Sequence, residues 1–163
     1  MALMLSSSVL AWSPTAAPLA PVASPRASMI EMMARKPLIA GNWKMNTVLD
    51  EAKTLAGDVA AAAKGAPGVD VAVCVPYPFL CPVADVLSGT GVALGAQDCY
   101  YEDAGAYTAA VSSSMLKSVG SEYVLSGHSE RRATFGDSDA DVNKKTLKIL
   151  EDGLSCILCI GEL

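Results

Sequence analysis

The chain has 163 residues, 52% hydrophobic and 18% charged, with a formal net charge of −5, which is enough apolar content to bury one sizeable core. The acidic balance excludes a nucleic-acid backbone as the main partner, because neutralising phosphates needs clustered Lys and Arg; a small anion needs only a few local donors. No membrane span is present: the apolar residues 1–12 are too few, and Ser6, Ser7 and Ser8 break them.

Residues 1–36 differ from the remainder of the chain. Up to Ile30 they are rich in Ser, Ala and Pro, with Arg26 the one charged side chain and no acid before Glu31. A Ser-rich, acid-poor leader of this kind has the composition of an organelle transit peptide. A signal peptide would carry a basic start that is missing here. The expectation is a disordered leader and plastid import, with a cytosolic protein as the alternative.

From Pro37 short apolar runs alternate with amphipathic ones. Residues 37–43 read as a buried strand. Residues 47–65 come next as a helix, with Leu49, Ala52, Leu55, Ala56 and Val59 at helical spacing, Thr47 as N-cap and Gly65 as stop. The β-branched run 69–75 predicts a second strand and 78–89 a short helix with Pro at its start. Residues 91–97 are a third strand. A loop holding Tyr100, Tyr101 and Gly105 leads to a helix over 113–120, a strand over 122–127, a helix over 139–153 and a fifth strand over 155–161.

Five near-continuous apolar strands separated by helices imply an α/β fold with a parallel sheet buried on both faces. An open doubly wound sheet and part of a (β/α)₈ barrel both fit. No GxGxxG or Walker-type loop follows any strand, and Asn42-Trp43-Lys44 follows the first, which favours the barrel. The five cysteines, an odd number scattered in apolar runs, read as reduced, buried thiols; Cys156 and Cys159 point to opposite faces of a strand, against a redox or zinc role.

In a parallel barrel the chemistry collects at the C-terminal strand ends. Asn42 and Lys44 stand there after the first strand, and His128 to Arg132 after the fourth. Lys44 suits an anionic substrate, or is a solvated surface lysine. His128, the one histidine in the chain, is catalytic or structural, and the charges from Glu130 to Arg132 are also what an exposed first helical turn shows. The acids Asp137, Asp139 and Asp141 resemble the start of an EF-hand, but Val142 stands where that loop needs Gly and Lys148 where it needs Glu. They read as helix caps and dipole partners, with no metal.

Six blocks, GNWKMN (41–46), GAQDCY (95–100), GAYT (105–108), GHSERR (127–132), FGDSD (135–139) and CIGE (159–162), resemble the signature segments of the triosephosphate isomerases, in that family's order and spacing. The resemblance implies a metal-free, cofactor-free, homodimeric TIM barrel of about 250 residues that interconverts dihydroxyacetone phosphate and glyceraldehyde 3-phosphate through an enediolate. It assigns substrate contact to Asn42 and Lys44. Catalytic roles fall to Lys44, to His128 as the electrophile polarising the carbonyl, and to Glu130 as a helper in proton movement. The family is itself the general illustration of a histidine kept neutral beside a helix N-terminus; a helical turn starting at Ser129 is compatible with that. The GAYT loop corresponds to the family's dimer arm, with Tyr107 and Thr108 in it.

The same resemblance puts the family's proton-abstracting glutamate after a sixth strand, whereas this chain reaches Leu163 just past the fifth, and Glu162 belongs to the CIGE block. Residues 37–163 are therefore expected to be the N-terminal part of the barrel, about five strands of eight, with open edges at strands one and five. The chain alone is expected to be inactive and prone to aggregate. The alternative is a truncated, non-catalytic protein that binds phosphate metabolites or another chain. A metal-dependent sugar-phosphate epimerase is disfavoured by the single histidine.

Two departures matter. Ala109 and Ala110 replace the family's Gly-Glu, so Arg131 loses its usual glutamate and must find another partner, and the dimer arm is expected to be looser. Ser126 stands where the family has an aliphatic residue. Its strand parity with His128 predicts that it faces the barrel interior, where an unpaired hydroxyl costs about 1–3 kcal/mol, so that Ser126→Leu would be stabilising.

Overall fold

A computed structural model describes residues 36–161. The leader expectation, Lys36 apart, and Glu162 lie outside the described residues. Strands β1 (Leu38–Asn42), β2 (Asp70–Val75), β3 (Val92–Ala96), β4 (Tyr123–Ser126) and β5 (Ser155–Leu158) form one sheet in the order β1-β2-β3-β4-β5. Every neighbouring pair is parallel. A sheet whose spatial order follows chain order never reverses direction, so it curls toward a barrel, and the doubly wound alternative is gone.

The helices are α1 (Leu49–Ala63), α2 (Leu80–Leu87, after a 3₁₀ turn at Tyr77–Phe79), α3 (Ser113–Ser118), α4 (Ser129–Phe135) and α5 (Asp139–Glu151). Helix α1 buries a narrow stripe of Ala52, Ala56 and Ala60, four residues apart, while Leu49 and Leu55 are exposed. Small side chains let the helix lie close on β2 and β3, where Val73, Val75, Leu94 and Ala96 complete the core. Thr47 is not its cap. The Val48 N–H is taken instead by the Glu51 carboxylate at 3.1 Å, and Thr47 sits at φ 74 with its buried hydroxyl unpartnered, a rare conformation for a β-branched residue.

The sheet's two faces are distinct. Val71, Val73, Val75, Val92, Leu94 and Val124 pack with the helices. The alternate residues turn inward, where space is short: a Cβ on Gly95 would lie 2.6 Å from the Cys74 sulfur. Ser126, two residues past Val124, belongs to the helix side. Its hydroxyl is buried against α5, 3.1 Å from Thr146 Oγ1 and 3.4 Å from the Val142 carbonyl. The expectation that it faces the barrel interior is therefore wrong. The strand ends at Ser126, and Gly127 at φ 72 resets the direction of the chain before His128. Only glycine fits there, since a Cβ would meet Val142 at 2.7 Å.

Cysteines are not uniformly buried. Cys74 and Cys99 are, and burial pushes their thiols up to about 11 and about 12, but Cys81 is exposed. At the sheet margins Leu38, Ile39, Leu158 and Ile160 are exposed, and neither β1 nor β5 has an outer neighbour among the described residues. No helix among them is long and apolar enough to cross a membrane.

Candidate active site

The parallel register lines up the C-terminal ends of the strands, so the segments after β1, β3 and β4 converge on one cavity of about 600 Å³. Asn42, Lys44, His128 and Glu130 all line it. That volume is in the range of small-molecule sites.

The loop after β1 is wound on itself. Asn42 Oδ1 accepts from the Lys44 N–H at 3.0 Å, and Asn46 Nδ2 donates to the Trp43 carbonyl at 2.7 Å. The first bond occupies the Asn42 oxygen and leaves its NH₂ to donate elsewhere. Lys44 adopts φ 55, a left-handed conformation that costs a side-chain-bearing residue about 1–2 kcal/mol. Such strain is characteristic of sites that need one particular aim.

Lys44 Nζ lies 2.8 Å from Glu130 Oε1, across from the N-terminus of α4. Both side chains are about half exposed, at 53% and 51%, so the pair adds little to stability. Its significance is direction: it holds an ammonium over the cavity. The Lys44 hydrogen bond keeps the Glu130 carboxyl below its ordinary range.

His128 is the N-cap residue of α4, and its Nδ1 accepts the Glu130 backbone N–H at 3.2 Å. A backbone N–H can only donate, so Nδ1 carries the lone pair and the proton sits on Nε2. The imidazole is thus neutral and set to donate from Nε2. Glu130 Oε2 lies 3.5 Å from Nδ1, too far to compete with that bond.

Beneath this trio lies a second constellation. Lys145 of α5 is 3% exposed, and its ammonium meets Asp98 at 2.9 and 3.0 Å and Asp137 at 2.6 Å. Arg131 finds its substitute partners here: it grips Asp137 through two bonds, at 3.3 and 3.2 Å, and reaches Asp98 at 3.3 Å. Burial pushes Asp98 up, against the pull of Lys145. Burial pushes Asp137 the same way, but its bonds to Lys145 and Arg131 together outweigh that and hold it low.

The EF-hand-like acids are accounted for in the same way. Asp137 is in that cluster, Asp139 pairs with Arg132, and Asp141 accepts from the hydroxyl of Ser138, the N-cap of α5, at 2.6 Å. Among the described residues no group of three His, Cys, Asp or Glu side chains is placed to hold a metal.

Tyr107 and Thr108 lie in the loop between β3 and α3, outside the Lys44–Glu130–His128 trio. Tyr107 packs on Tyr100 at 4.8 Å between ring centroids, Thr108 is exposed, and Ala109 takes φ 73 where the family resemblance leads one to expect glycine. Sequence reasoning did not single out Gln97, Asp98 or Lys145. For Lys145 a signal existed: it falls between Val142 and Ile149 on the buried stripe of α5.

A family model of triosephosphate isomerase matches residues 37–163. Triosephosphate isomerase from Carboxydothermus hydrogenoformans is 48% identical over 128 residues, 78% of this chain and 51% of that protein. The one from Chlorobium luteolum is 47% identical over 129 residues, 78% and 52% of the respective chains. The crystal structure of triosephosphate isomerase from Bartonella henselae superposes with a TM-score of 0.71 at 39% identity, over 78% of this chain and 53% of that one. The chain spans about half the length of the relatives it matches. With the family model covering residues 37–163, this chain belongs to the triosephosphate isomerase family.

Proposed function

We propose that these residues form the electrophilic, charge-neutralising half of a site that interconverts dihydroxyacetone phosphate and glyceraldehyde 3-phosphate. The observation that carries the reading is the convergence of Lys44, Glu130 and His128 on one cavity, with Nδ1 already occupied as an acceptor. Removing a proton next to the substrate carbonyl puts negative charge on the carbonyl oxygen. A neutral imidazole donating from Nε2 stabilises that oxygen, and the Lys44 ammonium offsets phosphate and enediolate charge.

The proton must go to a base. Each carboxylate lining the cavity among the described residues is engaged: Glu130 by Lys44, Asp98 and Asp137 by Lys145, Asp141 by Ser138. The 163-residue chain by itself is therefore expected to show no turnover. Joined to the second half of the Carboxydothermus hydrogenoformans relative, it is expected to isomerise triose phosphate. Lys44→Met and His128→Gln should each lower kcat/KM about a hundredfold or more, the usual size of losing one such group. Turnover by the chain alone, or by the joined variants at the parent rate, would contradict the reading.

Plastid import and a homodimer contacting through Tyr107 and Thr108 belong to the same proposal. The first is supported by leader composition, the second by the family and the exposed loop. With alanine at 109 and 110 the dimer is the looser kind. A fluorescent fusion of residues 1–36 and sedimentation of the joined protein are the respective checks.

A further inference from the structure

We propose that Gln97 is a positioning residue that acts through Lys44, fixing the strained lysine so that its ammonium points over the cavity. Gln97 directly follows β3, and its Nε2 donates to two carbonyls, Lys44 at 2.9 Å and Cys74 at 3.0 Å. Both partners can only accept, so the amide nitrogen must face them, and an acceptor-only side chain cannot replace it. Apart from the Lys44–Glu130 ion pair, the other side-chain bonds of residues 42–48 are local, reaching no further than Glu51. Gln97 alone among the described side chains ties the backbone of this loop to a different part of the chain.

Packing does not hold the lysine. Its side chain is 53% exposed, and Met45 beside it is 97% exposed. Holding the Lys44 carbonyl fixes the peptide plane on the far side of a residue at φ 55. That sets the direction in which the side chain leaves the backbone, toward Glu130. Cys74 makes the tether rigid, because its carbonyl also takes the Trp43 N–H at 3.0 Å, so β2 anchors both the start of the loop and Gln97. Gln97 touches neither Glu130 nor His128 through these bonds; its effect runs through the backbone of Lys44.

The first test uses the full chain and needs no ligand. A water-soluble carbodiimide joins an ammonium to a carboxylate only when the two are in contact, so the wild type should give a Lys44–Glu130 crosslink, located by peptide mass spectrometry. In Gln97→Met, close in size but without a donor, the yield should fall about tenfold, a loss that corresponds to a coupling of ordinary size between neighbouring residues. A wild-type yield in folded Gln97→Met would overturn the proposal.

The second test rests on the function proposed above and again uses Gln97→Met, which removes the donor without putting a charge into the cavity that Gln97 lines. Its affinity for 2-phosphoglycolate should drop about tenfold with Lys44 present and be unchanged within about twofold in the Lys44→Met background. An equal loss in both backgrounds would make Gln97 merely structural and overturn the proposal. Should the wild-type chain fail to bind 2-phosphoglycolate, the functional reading falls, and the crosslink still decides the role of Gln97.

Discussion

Lys145→Met is expected to cost about 3–5 kcal/mol, the usual penalty for removing one partner from a buried ion pair. Folded domains hold only about 5–15 kcal/mol in total, so this one substitution should bring the fold close to unfolding at neutral pH. The reason is specific. Lys145 is 3% exposed and the sole lysine on two carboxylates, Asp98 at 2.9 and 3.0 Å and Asp137 at 2.6 Å. Without it, Arg131 alone must serve both, at 3.3 and 3.2 Å. Urea unfolding measures the effect, with Lys144→Met as control. Lys144 is an exposed neighbour whose contact is the Tyr101 ring, and its loss should stay within about 0.5 kcal/mol. Equal urea midpoints for wild type and Lys145→Met would refute the account of this cluster.

The pH dependence has a definite sign. Asp137 is held low in the fold, so its stabilising contribution is complete above the unfolded value, near 3.9, and is lost as pH falls through its depressed folded value. Asp98 works in the opposite sense. Burial raises it, so the cost of its charge in the fold is relieved as pH falls through its raised value. Because neutral carboxyls no longer need an ammonium, the stability gap between wild type and Lys145→Met should narrow in acid.

Ser126→Leu is the second large effect, and it should be destabilising. On strand parity alone leucine would fill an apolar interior. In the fold the Ser126 side chain is 1% exposed between β4 and α5, bonded to Thr146 and the Val142 carbonyl. Leucine brings two more heavy atoms into a closed space, at about 1–3 kcal/mol for overpacking. It also strips the Thr146 hydroxyl of that partner, at about 1–3 kcal/mol if none replaces it. The melting midpoint should fall by roughly 5–15 °C. A rise would restore the inward-facing assignment.

These residues show what the sequence carried and what it hid. The five strands and most helices were legible because apolar runs bounded by Gly, Pro and polar turns leave few alternatives, and chain-order pairing then results from short right-handed crossovers. Asn42, Lys44, His128 and Glu130 were legible because their blocks lie at strand ends. What stayed hidden was direction. A strand buried on both faces has no polar alternation to mark which side is which, and the left-handed Gly127 breaks the two-residue count between Ser126 and His128.

Capping was hidden for a related reason. Thr47 is a sound N-cap by residue type, but Glu51 reached back to Val48 first and displaced it. Lys145 read as one more surface charge on an amphipathic helix, because its two aspartates are distant in the chain or sit in a turn. Arg131 was the converse case. The loss of its usual partner was visible in Ala109 and Ala110, but its new partners Asp98 and Asp137 were not.

On the function proposed above, His128 is neutral with its proton on Nε2 and, together with the neighbouring Lys44 ammonium, holds a triose phosphate. The chain contains a single histidine, so a long-range proton–nitrogen NMR spectrum at neutral pH reports on that ring without ambiguity. A neutral Nε2–H tautomer is expected, with signals that move, together with those of the Lys44 side chain, when 2-phosphoglycolate is added, its carboxylate standing in for the enediolate. An imidazolium, an Nδ1–H tautomer, or ring and lysine signals that stay still at saturating ligand would contradict it.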